Sequence, residues 1–480
     1  MSPDVRKAAR WEMNWSEVAV LDGNAVALGI AESTLMEAAG LALAEAAKEM
    51  AKGAVLVLCG PGNNGGDGFV ASRYLREWGF STAVLASHNN SRGQTAINAR
   101  DSAGEITIWP DKPEGDYSLI VDCLLGAGAG LGDSLRSPIA EVAAWARGMD
   151  VPILACDIPT GLGGPDVLTA DTTITYHSMK QGLHSSKAGE VRVSELPWPA
   201  EVEDCGPGDA KRYPRLDATA RKGDRGRLWV IGGGPYHGAP ILAGMAAARS
   251  GCDLVHVAMP SKSAYRAEWP ASLIPEILPD SEMLTEDSLE AISMAFSKRG
   301  ADAVVIGPGL GRDEKTKSAV STILQMAADI GTPVVIDADA ISALPSGKWP
   351  QGLIGVATPH AGEAERWLGE VSASQAVEGC SGEDVAIVVT GAEDLLTGPQ
   401  GRSCKATGGH PRMAVGGTGD LLAGTIGGLL AQGMPAWPAA RLGCALLRQA
   451  GARAAEQAGP GLLAEDVPVE IAKVLREWTV

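Results

Sequence analysis

Short apolar runs that end in glycine-bearing turns, each followed by a helical pattern, recur along this chain. Val55–Cys59 runs into Gly60–Gly68 and then Phe69–Trp78, Leu119–Cys123 precedes Gly126–Gly132, and Pro152–Asp157 precedes Pro159–Gly164. A strand that is apolar at consecutive positions is buried on both faces, as in a parallel sheet between two helix layers. The pattern resumes at Leu228–Ile231 with Gly232–Gly234, Ala303–Ile306 with Gly307–Gly311, and Pro333–Ile336 with Asp337–Asp339. It predicts an α/β protein of parallel sheets whose ligands bind where loops leave the carboxyl ends of the strands.

A chain of 480 residues is too long for one hydrophobic core. Between Pro197 and Arg227 the pattern dissolves, with an acidic stretch at Glu201–Asp209 and a mostly basic one at Lys211–Arg227. This places the boundary near 210 and predicts two domains, 1–210 and 211–480, each built around its own sheet. Residues 13–52 read as helices, with Met36, Ala39 and Leu43 at helical spacing and Thr34 and Glu37 placed as a capping box. No internal repeat relates the halves beyond the shared architecture.

The formal net charge of −18 opposes a general attraction to nucleic acid or anionic membranes. A phosphate-bearing ligand must then be held locally, by backbone amides and helix ends, and the 61 glycines mark where backbone can approach it. No run of roughly 18 apolar residues is present, and the polar start Met1–Glu12 lacks a signal-peptide pattern. A cytoplasmic location is expected. The eight cysteines include no Cys-x-x-Cys pair and read as reduced thiols, several inside strand-like runs. The seven histidines show no metal-binding spacing, so no transition-metal site is predicted.

The last long unit holds Gly416-Gly417-Thr418-Gly419-Asp420 immediately before an apolar helix, Leu421–Gln432. Amides and the helix dipole converge there on an anion. Asp420 can cap the helix or take a proton from a hydroxyl placed beside a phosphate. Upstream, in order, stand Gly307-Pro308-Gly309-Leu310-Gly311, Asp337-Ala338-Asp339 and Thr358-Pro359-His360-Ala361-Gly362-Glu363.

Over roughly 221–476 these residues resemble the carbohydrate-kinase-like domain of the ribokinase superfamily, and within it the ADP- or ATP-dependent NAD(P)H-hydrate dehydratases. Gly238-Ala239-Pro240 and the small-residue helix after it fit that branch better than a sugar kinase. The resemblance implies a ribokinase-like α/β sandwich, with Asp420 as catalytic base and Gly419 as a nucleotide contact. It also implies Ala239, Gly309, His360 and Asp420 as contacts to the hydrated dinucleotide. His360 has the alternative of making its own hydrogen bonds at a helix start. Mg²⁺ is expected with ADP or ATP, reached by Asp339 or Glu363 directly or through water. The nucleotide segment is Thr390-Gly391-Ala392-Glu393-Asp394, and it departs from the family by carrying Thr390 where a lysine is usual. Lys405 on the following strand is a candidate substitute charge.

In the first half, Gly60-Pro61-Gly62-Asn63-Asn64-Gly65-Gly66-Asp67-Gly68 sets two amides and a carboxylate among five glycines, and Asn64 offers an oxygen to a weakly held cation. Asp122 ends the next strand and Asp157 the one after it, before Pro159-Thr160-Gly161. This set, with Leu35-Met36-Glu37-Ala38-Ala39-Gly40, resembles the NAD(P)H-hydrate epimerase domain over about 13–200. The resemblance implies a Rossmann-like parallel sheet and K⁺ held by Asn64, Asp122 and Thr160, the last standing where serine is usual. It places substrate on Asn63, Asn64, Gly65, Gly66 and Asp67, on Gly126, Ala127, Gly128, Ala129, Gly130, Leu131 and Gly132, and on Asp157. Thr173–Thr175 match the family's Thr-x-Thr strand, and Lys180 follows at the expected place. Asp157 is the acid–base candidate for epimerisation, with helix capping as its rival role.

Together the halves imply a bifunctional repair enzyme, an isomerase and a lyase in one chain. The first domain interconverts the R and S hydrates of NADH and NADPH, and the second dehydrates the S form after phosphorylation. The resemblance also implies a homo-oligomer. The competing readings are a small-molecule kinase of the ribokinase superfamily and a non-catalytic nucleotide-binding protein.

Overall fold

The computed structural model describes residues 12–215 and 217–479. The polar start read above for a leader lies almost wholly outside them. The chain divides into two compact units after Ala200.

The first unit contains seven strands: β1 (Ala54–Cys59), β2 (Thr82–Ala86), β3 (Thr107–Ile108), β4 (Tyr117–Cys123), β5 (Ile153–Cys156), β6 (Thr172–Tyr176) and β7 (Glu190–Ser194). They form one sheet in the order β3-β2-β1-β4-β5-β6-β7. Every neighbouring pair is parallel. Alternate residues feed two apolar layers, Val55, Val57 and Cys59 on one face and Leu56 and Leu58 on the other. The order reverses between β1 and β4, which makes the gap beyond their carboxyl ends the switch-point crevice of a doubly wound sheet.

The second unit contains nine strands: β8 (Arg227–Ile231), β9 (Leu254–Pro260), β10 (Ile274–Leu278), β11 (Ala303–Ile306), β12 (Val334–Ile336), β13 (Gly355–Ala357), β14 (Val385–Val389), β15 (Asp394–Thr397) and β16 (Ser403–Ala406). Their order is β10-β9-β8-β11-β12-β13-β14-β15-β16. The sheet is parallel as far as β14, then ends in two antiparallel strands. Leu228 and Val230 pack into one helix layer, Trp229 and Ile231 into the other. Helix Thr418–Ala431 is buried along almost its whole length, as its apolar sequence predicts.

Three local expectations change. Thr34 and Glu37 form no capping box: the helix Glu32–Met50 starts before Thr34, from an Ala31 cap without a side-chain bond. Glu37 binds Arg73 and, at 2.6 Å, the Tyr74 hydroxyl. The capping box forms one helix earlier, where Asn14 Oδ1 accepts from Glu17 N–H at 2.9 Å and Asn14 N–H donates to Glu17 Oε2 at 3.1 Å. The glycine turn after β1 is also shorter than its composition suggests. Asn63–Glu77 is already helix, so Asn63 to Gly68 occupy its first turns. Finally, the chain divides at 200 rather than near 210. The reason is buried Arg441, whose guanidinium donates to Asp209 Oδ1 at 2.6 Å and to the carbonyls of Glu203 and Asp204 at 3.0 Å, holding this acidic stretch to the second unit.

No helix among the described residues is long and apolar enough to cross a membrane.

Candidate active sites

In the first unit, the close approach of two loops explains why glycines dominate after β1. A Cβ on Gly65 would stand 2.0 Å from the Gly60 carbonyl oxygen, so no side chain fits where the new helix turns back over the strand end. The helix start that results carries Asn64 and Asp67. Gly126, after β4, packs against Asn64 and Asp157: a Cβ there would lie 3.1 Å from Asn64 Oδ1 and 3.2 Å from Asp157 Oδ2. The structure thus brings together Asn64, the 126–132 loop and Asp157.

Asp157 sits at the end of β5 with a left-handed φ of 67°, a conformation uncommon outside glycine that aspartate tolerates better than most residues. Its Oδ2 accepts from Ala127 N–H at 2.9 Å, and Lys180 Nζ stands 2.8 Å from its Oδ1. Lys180 is buried and also donates to Thr175 Oγ1 at 2.9 Å and to the Tyr176 carbonyl at 2.7 Å. Asp157 is therefore half of a lysine–carboxylate pair, with its second oxygen on a loop amide. Asp67 is buried nearby. Burial first, then the charges of Asp157 and Asp22, push its carboxyl well above the usual range. Asp22, an exposed residue on the helix Trp15–Ala27, was not singled out from sequence because it lies inside a helix and not in a turn at a strand end. A cavity of about 390 Å³ opens here, lined by Met13, Trp15, Ala127, Leu131, Ile158 and Lys180.

Asp122 is fully buried. Its Oδ1 accepts from Thr160 Oγ1 at 2.7 Å and Leu124 N–H at 3.2 Å, and its Oδ2 from Thr160 N–H at 2.8 Å. Burial outweighs these bonds and raises its carboxyl to about 6. Thr160 Oγ1 also accepts from Leu125 N–H at 3.1 Å, tying Thr160 to the strand that leads to Gly126. The Asn64 Nδ2 is buried without a hydrogen-bond partner.

In the second unit the loops after β8, β11, β12, β13 and β14 line the carboxyl edge. Gly233 N–H donates to the Pro308 carbonyl at 2.9 Å, joining the first two. Gly307, at φ 130°, would place a Cβ 1.8 Å from the Asp337 carbonyl oxygen, so only glycine lets the β11 loop cross β12. Gly309 lies against Tyr236, just before Ala239 at the start of helix Gly238–Arg249. His360 and Thr390 form a bridge between neighbouring loops. His360 takes the role of helix cap, its Nδ1 accepting from Gly362 N–H at 3.0 Å while Glu363 Oε2 accepts from His360 N–H at 3.0 Å. Its Nε2 lies 3.4 Å from Glu363 Oε1.

Asp420 does not cap its helix. Gly417 is the cap residue, and Asp420 stands in the first turn, half-buried. Desolvation raises its carboxyl to about 7, helped by the charges of Asp337 and Asp339. Those two are anchored: Thr358 Oγ1 donates to Asp337 Oδ1 at 2.7 Å, and Gly311 N–H donates to Asp339 Oδ2 at 2.9 Å. Arg312 Nε donates to Asp339 Oδ1 at 3.1 Å. Asp337 is itself raised to about 6 by burial, and the charge of Glu363 adds to this.

The 390–394 turn is held by a residue that the sequence did not reveal. Arg448, on the helix Ala436–Ala458, donates to Asp394 Oδ2 at 2.8 Å and to the carbonyls of Ala392 and Gly391 at 2.8 and 3.0 Å. The Asp394 carboxylate is thus turned into the protein, and the Arg448 charge is spent on it. The Nζ of Lys405 lies 3.7 Å from Glu393 Oε2 in the same turn.

Fold and sites define a two-domain α/β enzyme with one carboxylate-bearing helix start in each parallel sheet. Residues 228–473 match the family model of NAD(P)H-hydrate dehydratase, and residues 32–182 that of the YjeF-related protein N-terminus. The bifunctional NAD(P)H-hydrate repair enzyme Nnr of Hyperthermus butylicus is 33% identical over 494 residues, spanning 96% of this chain and 91% of its own. Its namesake from Methanopyrus kandleri is 34% identical over 487 residues, spanning 94% and 93%. Among solved structures, the ADP/ATP-dependent NAD(P)H-hydrate dehydratase of Bacillus subtilis, co-crystallized with ATP and Mg²⁺, is 24% identical. It covers 56% of this chain and 96% of its own, with a TM-score of 0.46. The chain belongs to the bifunctional NAD(P)H-hydrate repair enzymes, with a Rossmann-like epimerase domain followed by an α/β dehydratase domain.

Proposed function

We propose that the first domain interconverts the R and S hydrates of NADH and NADPH at Asp157, and that the second dehydrates the S form with ADP or ATP, using Asp420 as base. The observation that carries the second half is Asp420 itself, a carboxylate raised to about 7 at a helix start beside Asp337 and Asp339. Near neutral pH such a group both exists as a base and has appreciable affinity for a proton. Hydroxide is a poor leaving group. Asp420 removes the proton of the 6-hydroxyl as that oxygen attacks the terminal phosphoryl group and the nucleotide leaves one phosphate shorter, the developing charge facing the amides of the 416–420 turn. The product is a phosphate ester, and loss of phosphate together with a ring proton restores the dihydronicotinamide.

Several carboxylates clustered with exposed Arg312 beside one of them suit a divalent cation held jointly with nucleotide phosphates. Asp339 and Glu363 would hold Mg²⁺, directly or through water, and the ion would neutralise phosphate charge. The backbone of the 390–394 turn, with Gly419, would receive the nucleotide.

In the first domain, Lys180 lines the cavity and pairs with Asp157, giving a proton donor and acceptor side by side. Epimerisation requires the hydroxyl to leave and return on the other face, and Asp157 exchanges the proton that makes this feasible. Asn64, Asp122 and Thr160 would hold K⁺: each offers an oxygen, and among the described residues buried Asp122 has no basic side chain against it to offset its charge. The ion would supply that charge.

The test is direct. Hydrated NADH incubated with the protein, Mg²⁺ and ADP or ATP should recover the absorbance of NADH. A phosphorylated hydrate that accumulates without recovery would identify a kinase instead, and no recovery with either nucleotide would refute the dehydratase reaction.

A further inference from the structure

Two cysteines remote in sequence meet at the edge of the second sheet. Cys205 Sγ lies 3.6 Å from Cys404 Sγ, with a sequence separation of 199. Both thiols are free and only half-buried. Backbone geometry builds the meeting. Cys205 N–H donates to the Lys405 carbonyl at 2.8 Å, and Lys405 N–H donates to Asp204 Oδ1 at 2.9 Å, so the segment lies along β16, the terminal strand. Arg441 clamps the same segment through Asp209 and the carbonyls of Glu203 and Asp204. The other close thiols, Cys59, Cys123 and Cys156, are sealed in the core of the first domain.

A disulfide requires the sulfurs to come about 1.5 Å closer, a movement within reach of side-chain rotation when the backbones are already hydrogen-bonded side by side. We propose that Cys205 and Cys404 are a reversible modification site, oxidised to an intramolecular disulfide by a small disulfide such as glutathione disulfide. One cysteine thiolate attacks a glutathione sulfur and expels glutathione thiolate. The second thiolate then attacks the protein sulfur of the mixed disulfide and expels the other glutathione. Two cysteine protons are released, and two electrons pass from the cysteine sulfurs to the glutathione sulfurs. Burial and the neighbouring thiol hold Cys205 above the ordinary thiol range, so thiolate is scarce at neutral pH and the exchange is slow.

The cross-link ties the entry of the second domain to its last strand and closes most of that domain into a loop. A bridge over so long a loop stabilises chiefly by restricting the unfolded chain. Neither thiol belongs to either active site, so the oxidised protein keeps both activities and gains resistance to unfolding.

The experiment treats the full chain with glutathione disulfide under native conditions, then alkylates it in denaturant and digests it without reductant. Expected are a fall in titratable thiols from the eight of the sequence to six, a peptide joining Cys205 to Cys404 that is lighter by two hydrogens, and reversal by dithiothreitol. The thermal midpoint should rise by several degrees on oxidation. Cys205→Ser and Cys404→Ser should each abolish both the joined peptide and the rise. Retention of all eight thiols, a lasting glutathione adduct without the joined peptide, or a joined peptide of different composition would overturn the proposal; the wild-type digest decides this even if a variant misfolds.

Discussion

The two candidate sites share a backbone plan and differ in their electrostatics. In both, a helix starts in a glycine turn at the carboxyl edge of a parallel sheet and carries an aspartate in its first turns, Asp67 in one and Asp420 in the other. In the first domain the acid–base candidate is neutralised from within, by Lys180 at 2.8 Å from Asp157. In the second, Asp420 gathers with Asp337 and Asp339 against exposed Arg312, and its carboxyl rises to about 7. A site that contains its own cation is equipped for proton exchange on a bound substrate. One that gathers negative charge suits the proposed phosphoryl transfer, in which Mg²⁺ and nucleotide phosphate would be held together.

The sharpest way to separate the sites is Asp420→Asn. Dehydration should fall on the order of 100- to 10,000-fold while epimerisation is unchanged, measured on the same preparation with the R and S hydrates. Equal loss of both would break the comparison. Lys180→Met should do the reverse, lowering epimerisation on the order of 100-fold and sparing dehydration. Because it strands Asp157 next to a vacated, buried position, it should also cost about 3 kcal/mol of stability. Adding Asp157→Asn should restore the stability and not the activity, which separates chemistry from folding.

Next comes pH. A base works only when ionised, so kcat/KM for dehydration should drop roughly tenfold for each pH unit below about 7 and level off above it. A profile flat between pH 5 and 8, roughly the range over which Asp420 changes charge, would remove Asp420 from that role. The smallest effect concerns Asp122, whose folded carboxyl is raised to about 6. The folded state binds its proton more tightly than the unfolded chain does, so this contribution to stability is full at low pH. It is lost as the pH climbs through about 6, by up to ~3 kcal/mol. Potassium should compensate only above that range. Denaturant midpoints at pH 5 and 8, in potassium against sodium, test this, and Asp122→Asn should remove the difference.

Much of the architecture was legible in the sequence because parallel strands buried on both faces are apolar without interruption. β1, β8, β11 and β12 fall where the runs predicted. The glycine turns were legible for a related reason: where one backbone crosses another at the distances found at Gly65 and Gly307, no other residue fits. Boundaries were less so. Thr34 and Glu37 carry the residues of a capping box, yet packing of Glu37 on Arg73 and Tyr74 moved the helix start. The 60–68 turn looked like a loop because glycines weaken the helical signal, while the packed sheet edge lets the helix begin at Asn63. Arg448 was invisible as a site residue, since an arginine in an apolar helix gives no hint that it holds a turn more than fifty residues upstream.

By itself, then, the sequence determined the parallel strands of both sheets and the glycine turns with their aspartates, because local propensity and backbone crowding are written residue by residue. Only the tertiary structure decided which charges meet. That Asp157 faces Lys180, that Asp420 faces Asp337 and Asp339, and that Cys205 touches Cys404 are consequences of distance and burial, and the interaction between groups depends on those and not on their separation along the chain.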